Sequence, residues 1–123
     1  MVISSEHIEQ LFEAFKKMRV LIIGDVMIDC YITGSVSRIS PEAPVPIVNA
    51  NDRSYRLGGA ANVALNLKSL GATPILCSVI GSDNEAKVFY DLMEDAELDT
   101  IGVVPMFGRK TTIKYRIIGN NAH

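Results

Sequence analysis

Apolar and polar positions alternate along the chain with two different periods. Ile8, Leu11, Phe12, Phe15 and Met18 recur at helical spacing, with Glu9, Glu13, Lys16 and Lys17 between them. Residues three and four apart share one helix face, so the stretch from Met1 to Met18 predicts an amphipathic helix. Val20 to Ile23 follow as an unbroken apolar run that ends at Gly24-Asp25. An unbroken run predicts a strand covered on both faces, parallel and central in its sheet.

Gly58-Gly59 open the next helix, with Ala60, Val63, Ala64, Leu67 and Leu70 as its apolar stripe and Gly71 as its stop. Pro74 to Ile80 is a second buried strand. Ser82-Asp83-Asn84-Glu85 fits a capping box with Ser82 at the cap and Glu85 three residues on. The helix it starts runs to about Ala96 and turns Val88, Phe89, Leu92 and Met93 inward. Asp99 to Val104 reads as a third strand and Thr111 to Ile118 as a fourth, with Ile113, Tyr115 and Ile117 on one face. The rhythm strand, helix, strand, helix, strand predicts an α/β fold, a doubly wound layer joined by crossover helices. Two segments break that rhythm. Residues 31–57 mix Tyr31, Ile32, Val36, Ile39, Val45, Ile47 and Val48 with Ser, Asn and Pro, and Pro41, Pro44 and Pro46 forbid a long helix. Together with residues 105–119 they predict short strands and turns in a small separate sheet, or lid.

Composition narrows the class. The 123 residues fit one small domain, and 48 % hydrophobic residues are enough for a core. A formal net charge of -2 with 21 % charged residues describes a globular chain and gives nucleic-acid binding no support. Cys30 and Cys77 sit in apolar stretches outside any CxxC pair, so both are expected as buried thiols. The first residues lack the charged start and apolar run of a secretion signal, and no segment is apolar enough to span a bilayer. A cytoplasmic chain with no membrane partner is the expectation.

Three constellations carry candidate chemistry. Asp25 and Asp29 follow the first strand, where open α/β sheets bind ligands, and carboxylates accept hydrogen bonds from sugar hydroxyls. A helix cap or a solvated turn accounts for them as well. Gly58-Gly59-Ala60-Ala61-Asn62 lets a ligand approach the backbone and offers free N–H groups at a helix start, with the Asn62 amide beside them. A tightly packed helix start is the competing account. Lys114 and Arg116, two apart on a strand, share a face and form a possible phosphate clamp; spacing alone fits a solvated strand face better. Gly102 to Thr111 resembles a P-loop only superficially, because its glycine spacing is wrong and a strand pattern follows. The first strand lacks the spaced glycines of a dinucleotide site. His7 and His123 have no ligand partners in the sequence, so no metal site is expected.

The stretches 20–29, 37–46 and 58–64, reading VLIIGDVMID, SRISPEAPVP and GGAANVA, resemble the PfkB, or ribokinase-like, carbohydrate kinase family. The middle stretch, with Thr112-Ile113-Lys114-Tyr115-Arg116, is similar to its heptose 7-phosphate kinase branch, found in bifunctional ADP-heptose synthases. The resemblance runs from about Val20 to Arg116. It implies a ribokinase-like doubly wound sheet with the lid formed by residues 31–57 and 105–119. It implies that Asp29 binds sugar hydroxyls, that Gly58, Gly59 and Asn62 lie beneath the sugar, and that Glu42 is near the substrate. Lys114 and Arg116 would hold the phosphate already on the sugar.

The activity implied is ATP- and magnesium-dependent phosphorylation of the anomeric hydroxyl of D-glycero-D-manno-heptose 7-phosphate, a step toward the lipopolysaccharide core. A homodimer through the lid is implied as well. The family's Gly-Ala-Gly-Asp signature, with its catalytic base, anion hole and ATP pocket, is not among these 123 residues. The expectation is therefore an amino-terminal, sugar-binding portion that is inactive alone, with an open sheet edge and an open apolar face. A kinase for another sugar phosphate, or a non-catalytic module that binds sugar phosphate or dimerises, remains the alternative.

Overall fold

The structure is a computed structural model and describes residues 2–120; His123 lies outside them. Its elements are α1 (Ser5–Phe15), β1 (Arg19–Ile23), β2 (Val26–Ile39), β3 (Pro46–Gly59), α2 (Ala60–Ser69), β4 (Thr73–Gly81), α3 (Asn84–Asp95), β5 (Val103–Met106) and β6 (Ile113–Asn120). They build two three-stranded sheets, ordered β1-β4-β5 and β3-β2-β6.

The first sheet is wholly parallel, from the register Arg19↔Thr73 to Ile23↔Cys77 on one side and Ser78↔Val103 to Gly81↔Met106 on the other. Helices α2 and α3 enter the connections to β4 and β5, and both pack on one face. Ala61 and Ala64 of α2, with Phe89 and Met93 of α3, meet Leu76 and Ile80 of β4 in the main core. One hand of crossover in one direction of travel places both helices on the same side. The polar member of this face, Ser78, donates to the Gly24 carbonyl at 2.6 Å and is thereby satisfied.

The other face is open among the described residues: Leu21 is 59 % and Ile23 76 % exposed. Among the described residues β1 stands at the edge of its sheet and is covered on one face, while β4 lies between β1 and β5. A continuous apolar run looks the same in a sequence whether or not its second face is covered. Cys77 belongs to that open side and is only half-buried, whereas Cys30 is fully buried; both are free thiols. Helix α1 starts at Ser4, whose hydroxyl accepts from the His7 N–H, but it buries none of its apolar residues among the described ones.

Four expectations are corrected. The segment 31–57 is not a set of short strands: β2 and β3 form one antiparallel hairpin of 14-residue strands, paired from Val26↔Gly59 to Ile39↔Pro46. Pro41 and Pro44 fall in the turn, closed by the Ser40 N–H donating to Val45 O at 2.8 Å, and Pro46 takes the first position of β3. The third strand is Val103–Met106, because residues 99–102 form a turn in which Asp99 accepts from the Ile101 N–H. The cap of α3 is Asp83 rather than Ser82: its extended backbone aims the carboxylate at the Ala86 N–H, 3.0 Å away. The buried stripe of α2 runs through Ala61 and Ala64, leaving Val63 and Leu70 exposed.

The second sheet, expected as the lid, is mixed and takes in residues 31–57, but of 105–119 only β6 joins it, since residues 105–106 belong to β5 of the parallel sheet. β6 joins β2 in parallel, from Ile28↔Ile113 to Ser35↔Asn120, on the edge opposite β3. The base of the lid is fused to the core, because Ile28 and Leu57 share the cluster of Phe89 and Met93.

Candidate functional site

The chain leaves β1 at Ile23 and enters β2 at Val26, with only Gly24-Asp25 between the two sheets. Asp29 is therefore an interior residue of the lid's central strand, not part of a loop past β1 as its position after the apolar run suggested. Its register partners are Arg56 on β3 and Lys114 on β6. Paired residues share a sheet face, as do residues two apart. Met27, Asp29 and Tyr31, with Arg56 and Gly58, and with Lys114 and Arg116, consequently occupy one face.

Gly58 and Gly59 end β3 rather than begin α2. Their lack of a side chain is used differently. A Cβ on Gly58 would lie 2.8 Å from Met27 Cγ and 2.9 Å from Asp29 Oδ2. Gly58 thus keeps open the space directly over the Asp29 carboxylate. Gly59 has φ +60, a left-handed conformation, and a Cβ there would press on the Asp25 carbonyl at 2.5 Å. That carbonyl accepts the Ala60 N–H at 2.8 Å and fixes the start of α2 against the strand junction. Gly59 supplies no side-chain cap to α2, so the positive end of the helix carries no protein acceptor from its cap residue.

The Asp29 side chain is one-fifth exposed, and its Oδ1 is buried without a hydrogen-bond partner. Arg116 Nε stands 3.9 Å from that oxygen, an ion pair but not a hydrogen bond. An unmatched buried carboxylate oxygen is unfavourable unless a donor arrives. Beside it opens a cleft of about 580 Å³ lined by Asp29, Tyr31, Arg56 and Asn62 on its polar side and by Leu57, Leu65 and Leu92 among its apolar residues. A cleft of this size with few convergent polar groups suits a small hydroxylated ligand.

The structure therefore brings together Asp29, Gly58, Gly59, Asn62, Lys114 and Arg116. It does not bring Glu42 to them. Glu42 lies exposed in the hairpin turn, its N–H donating to Ser40 Oγ, about 30 Å along β2 from Asp29 at strand rise. The long ladder between β2 and β3 carries the turn away from the cleft.

Two residues of this face, Tyr31 and Arg56, were not singled out by the sequence as site candidates. Arg56 Cζ sits 4.7 Å and Arg116 Cζ 5.6 Å from the ring centroid of Tyr31. The legible signal was Arg56 two positions before Gly58, the strand period that puts both on one face. Asp83 was read as part of a cap only. Its carboxylate also accepts the Thr111 N–H at 2.7 Å and the Thr111 hydroxyl at 2.6 Å, which hold its pKa below the ordinary value. This contact ties the start of α3 to the entry of β6.

Among the described residues no three His, Cys, Asp or Glu side chains converge as metal ligands, and no helix is long and apolar enough to cross a membrane.

Residues 17–123 match the model of the pfkB family carbohydrate kinases. The chain is 44 % identical over 108 residues to a bifunctional protein HldE of Magnetococcus marinus, covering 88 % of this chain and 22 % of that protein. It is 50 % identical over 103 residues to a bifunctional protein HldE of Helicobacter acinonychis, covering 84 % of this chain and 22 % of that one. The chain thus spans about a fifth of the length of these relatives. Among solved structures, a putative ribokinase from Agrobacterium tumefaciens superposes with a TM-score of 0.66 at 18 % identity, over 86 % of this chain and 34 % of that one. A fructokinase from Halothermothrix orenii does so with a TM-score of 0.58 at 27 % identity, over 81 % and 34 %.

Proposed function

The chain belongs to the pfkB family of carbohydrate kinases, and on that premise we propose that it forms the sugar-binding half of a D-glycero-D-manno-heptose 7-phosphate kinase. The observation that carries the reading is the buried, unpartnered Oδ1 of Asp29 at the edge of a polar cleft, with Gly58 leaving the space above the carboxylate empty. A sugar hydroxyl donating to Asp29 would satisfy that oxygen. Asn62 adds a donor and an acceptor, and the uncapped start of α2 favours an electron-rich oxygen nearby. Lys114 and Arg116, on the same face, would hold the distal phosphate in this reading.

The phosphoryl donor in this reading is ATP with magnesium, and the product feeds ADP-heptose formation for lipopolysaccharide core assembly in the cytoplasm. In this reading the catalytic base, the anion hole and the ATP pocket belong to the family's Gly-Ala-Gly-Asp signature. What these residues do is bind and orient the sugar, which in phosphoryl transfer is a large part of catalysis.

A homodimer through the lid is part of the same proposal. The lid face opposite Asp29 exposes Tyr55, Tyr115 and Ile117. An apolar sheet face of this kind fits a second copy of itself.

Calorimetric titration of the chain with heptose 7-phosphate, and separately with ATP, tests the reading. Sugar-phosphate binding that Asn62→Ala abolishes, without ATP binding, is expected. Equal affinity for an unrelated sugar phosphate such as fructose 6-phosphate would overturn the heptose assignment. Absence of sugar-phosphate binding would overturn the half-site.

A further inference from the structure

We propose that Arg56 and Arg116 form a two-guanidinium anion site across Tyr31, and that Arg56 is the residue by which the cleft distinguishes a phosphorylated sugar from a free one. The second part rests on the sugar-kinase reading above; the first stands on the geometry of the lid.

Arg56 comes from β3 and Arg116 from β6, the two strands that flank β2. Both guanidinium carbons lie within 5.6 Å of one ring centroid, that of the half-buried Tyr31 on the central strand. Two like charges held against one ring repel, and an anion in contact with both relieves that repulsion. The protein supplies little of that anion. Arg116 has Asp29 at 3.9 Å, beyond hydrogen-bond reach, and Arg56 makes no ion pair among the described residues. Asp95 lines the same cleft as Arg56 but forms no salt bridge with it. Lys114 adds a third cation to the face as register partner of Asp29. The face therefore carries an excess of positive charge whose donors are not taken up by the protein.

The arrangement suits a phosphate. Each guanidinium presents a planar fork of N–H donors, and a phosphate ester near neutral pH carries a charge of about -1.5 to -2 on three strong acceptors. Tyr31 holds both forks by its ring face, so less side-chain freedom is lost when the anion binds. Spacing agrees with a single ligand. Tyr31 is two residues from Asp29 on β2, about 6.6 Å along the strand. That is the length scale between a sugar ring, anchored at Asp29, and a phosphate on its side chain.

The test is an NMR titration of the chain, following the Nε–Hε signals of Arg56 and Arg116, with inorganic phosphate, heptose 7-phosphate and unphosphorylated heptose as separate arms. Both signals should move with inorganic phosphate and further with the sugar phosphate, and the Arg56 signal should move far less with free heptose. In parallel, Arg56→Gln should weaken heptose 7-phosphate binding about tenfold or more and leave free heptose within about twofold. An Arg56 signal unmoved by either phosphate overturns the anion site, whatever the variant does. Equal losses for both sugars in Arg56→Gln overturn the discriminating role and make Arg56 a packing residue of the cleft. If phosphate moves both signals but neither sugar binds the wild type, the anion site stands and the sugar reading fails.

Discussion

Thr111 donates both its N–H and its hydroxyl to the carboxylate of Asp83, at 2.7 and 2.6 Å. Asp83 is also the cap of α3, which packs through Phe89 and Met93 on the core. One carboxylate therefore ties the entry of β6, and with it Lys114 and Arg116, to the start of α3. Asp83→Ala should loosen β6 while sparing the parallel layer. Amide exchange is expected to quicken from Thr111 into β6 and to stay unchanged in β4. Uniform acceleration over both elements would mean that Asp83 supports the whole fold rather than the lid attachment.

The same contact gives a pH dependence with a definite sign. The Thr111 hydroxyl and N–H lower the Asp83 pKa in the folded state. A lowered folded pKa contributes stability above the unfolded value, about 3.9, and loses it as pH falls through the folded value. The difference in thermal midpoint between wild type and Asp83→Asn should hold steady above about pH 5 and shrink in stronger acid. A difference that stays constant into strong acid would show that the charge of Asp83 contributes nothing.

Gly58→Ala places a methyl 2.9 Å from Asp29 Oδ2 and 2.8 Å from Met27 Cγ. Both neighbours must shift, at a cost of about 1–3 kcal/mol. Calorimetry should show sugar-phosphate binding falling much further than the thermal midpoint does. Unchanged binding would separate the empty space over Asp29 from the ligand site.

Asp29→Asn keeps the size of the side chain and removes its charge. Binding of heptose 7-phosphate should drop roughly tenfold to a hundredfold, because a charged acceptor for hydroxyl donors is lost beside Arg116. The effect should persist with free heptose, unlike that of Arg56→Gln. Titration of the two variants with both sugars tests whether the proposed hydroxyl end of the cleft is distinct from its proposed phosphate end.

Phe89 is fully buried between α3 and the core sheet, whereas Phe107 is 97 % exposed. Phe89→Ala should cost about 3–5 kcal/mol, a large share of the 5–15 kcal/mol typical of a domain. Phe107→Ala should be close to neutral in urea unfolding of the unligated chain. Comparable losses would mean that Phe107 is covered in solution, for instance by a second copy.

The sequence by itself determined the elements of the core and supplied the candidates for the site. The runs at Val20–Ile23 and Pro74–Ile80 and the apolar positions of α3 carry their period in the residues themselves, since solvent and helix pitch act locally. Asp29, Gly58, Asn62, Lys114 and Arg116 were legible as candidates through their chemistry and their resemblance to a family. Tertiary structure decided what those residues face. Gly24-Asp25 transfers the chain from one sheet to another, and no local pattern marks that change. It places Asp29 within a strand, pairs it with Arg56 and Lys114, and leaves Glu42 at the far end of a hairpin. The contacts of Arg56 and of Arg116 with Tyr31, and of Asp83 with Thr111 across 28 residues of chain, depend on strand pairing and register. Both are set by which apolar faces can be buried together, a property of the whole fold rather than of any segment.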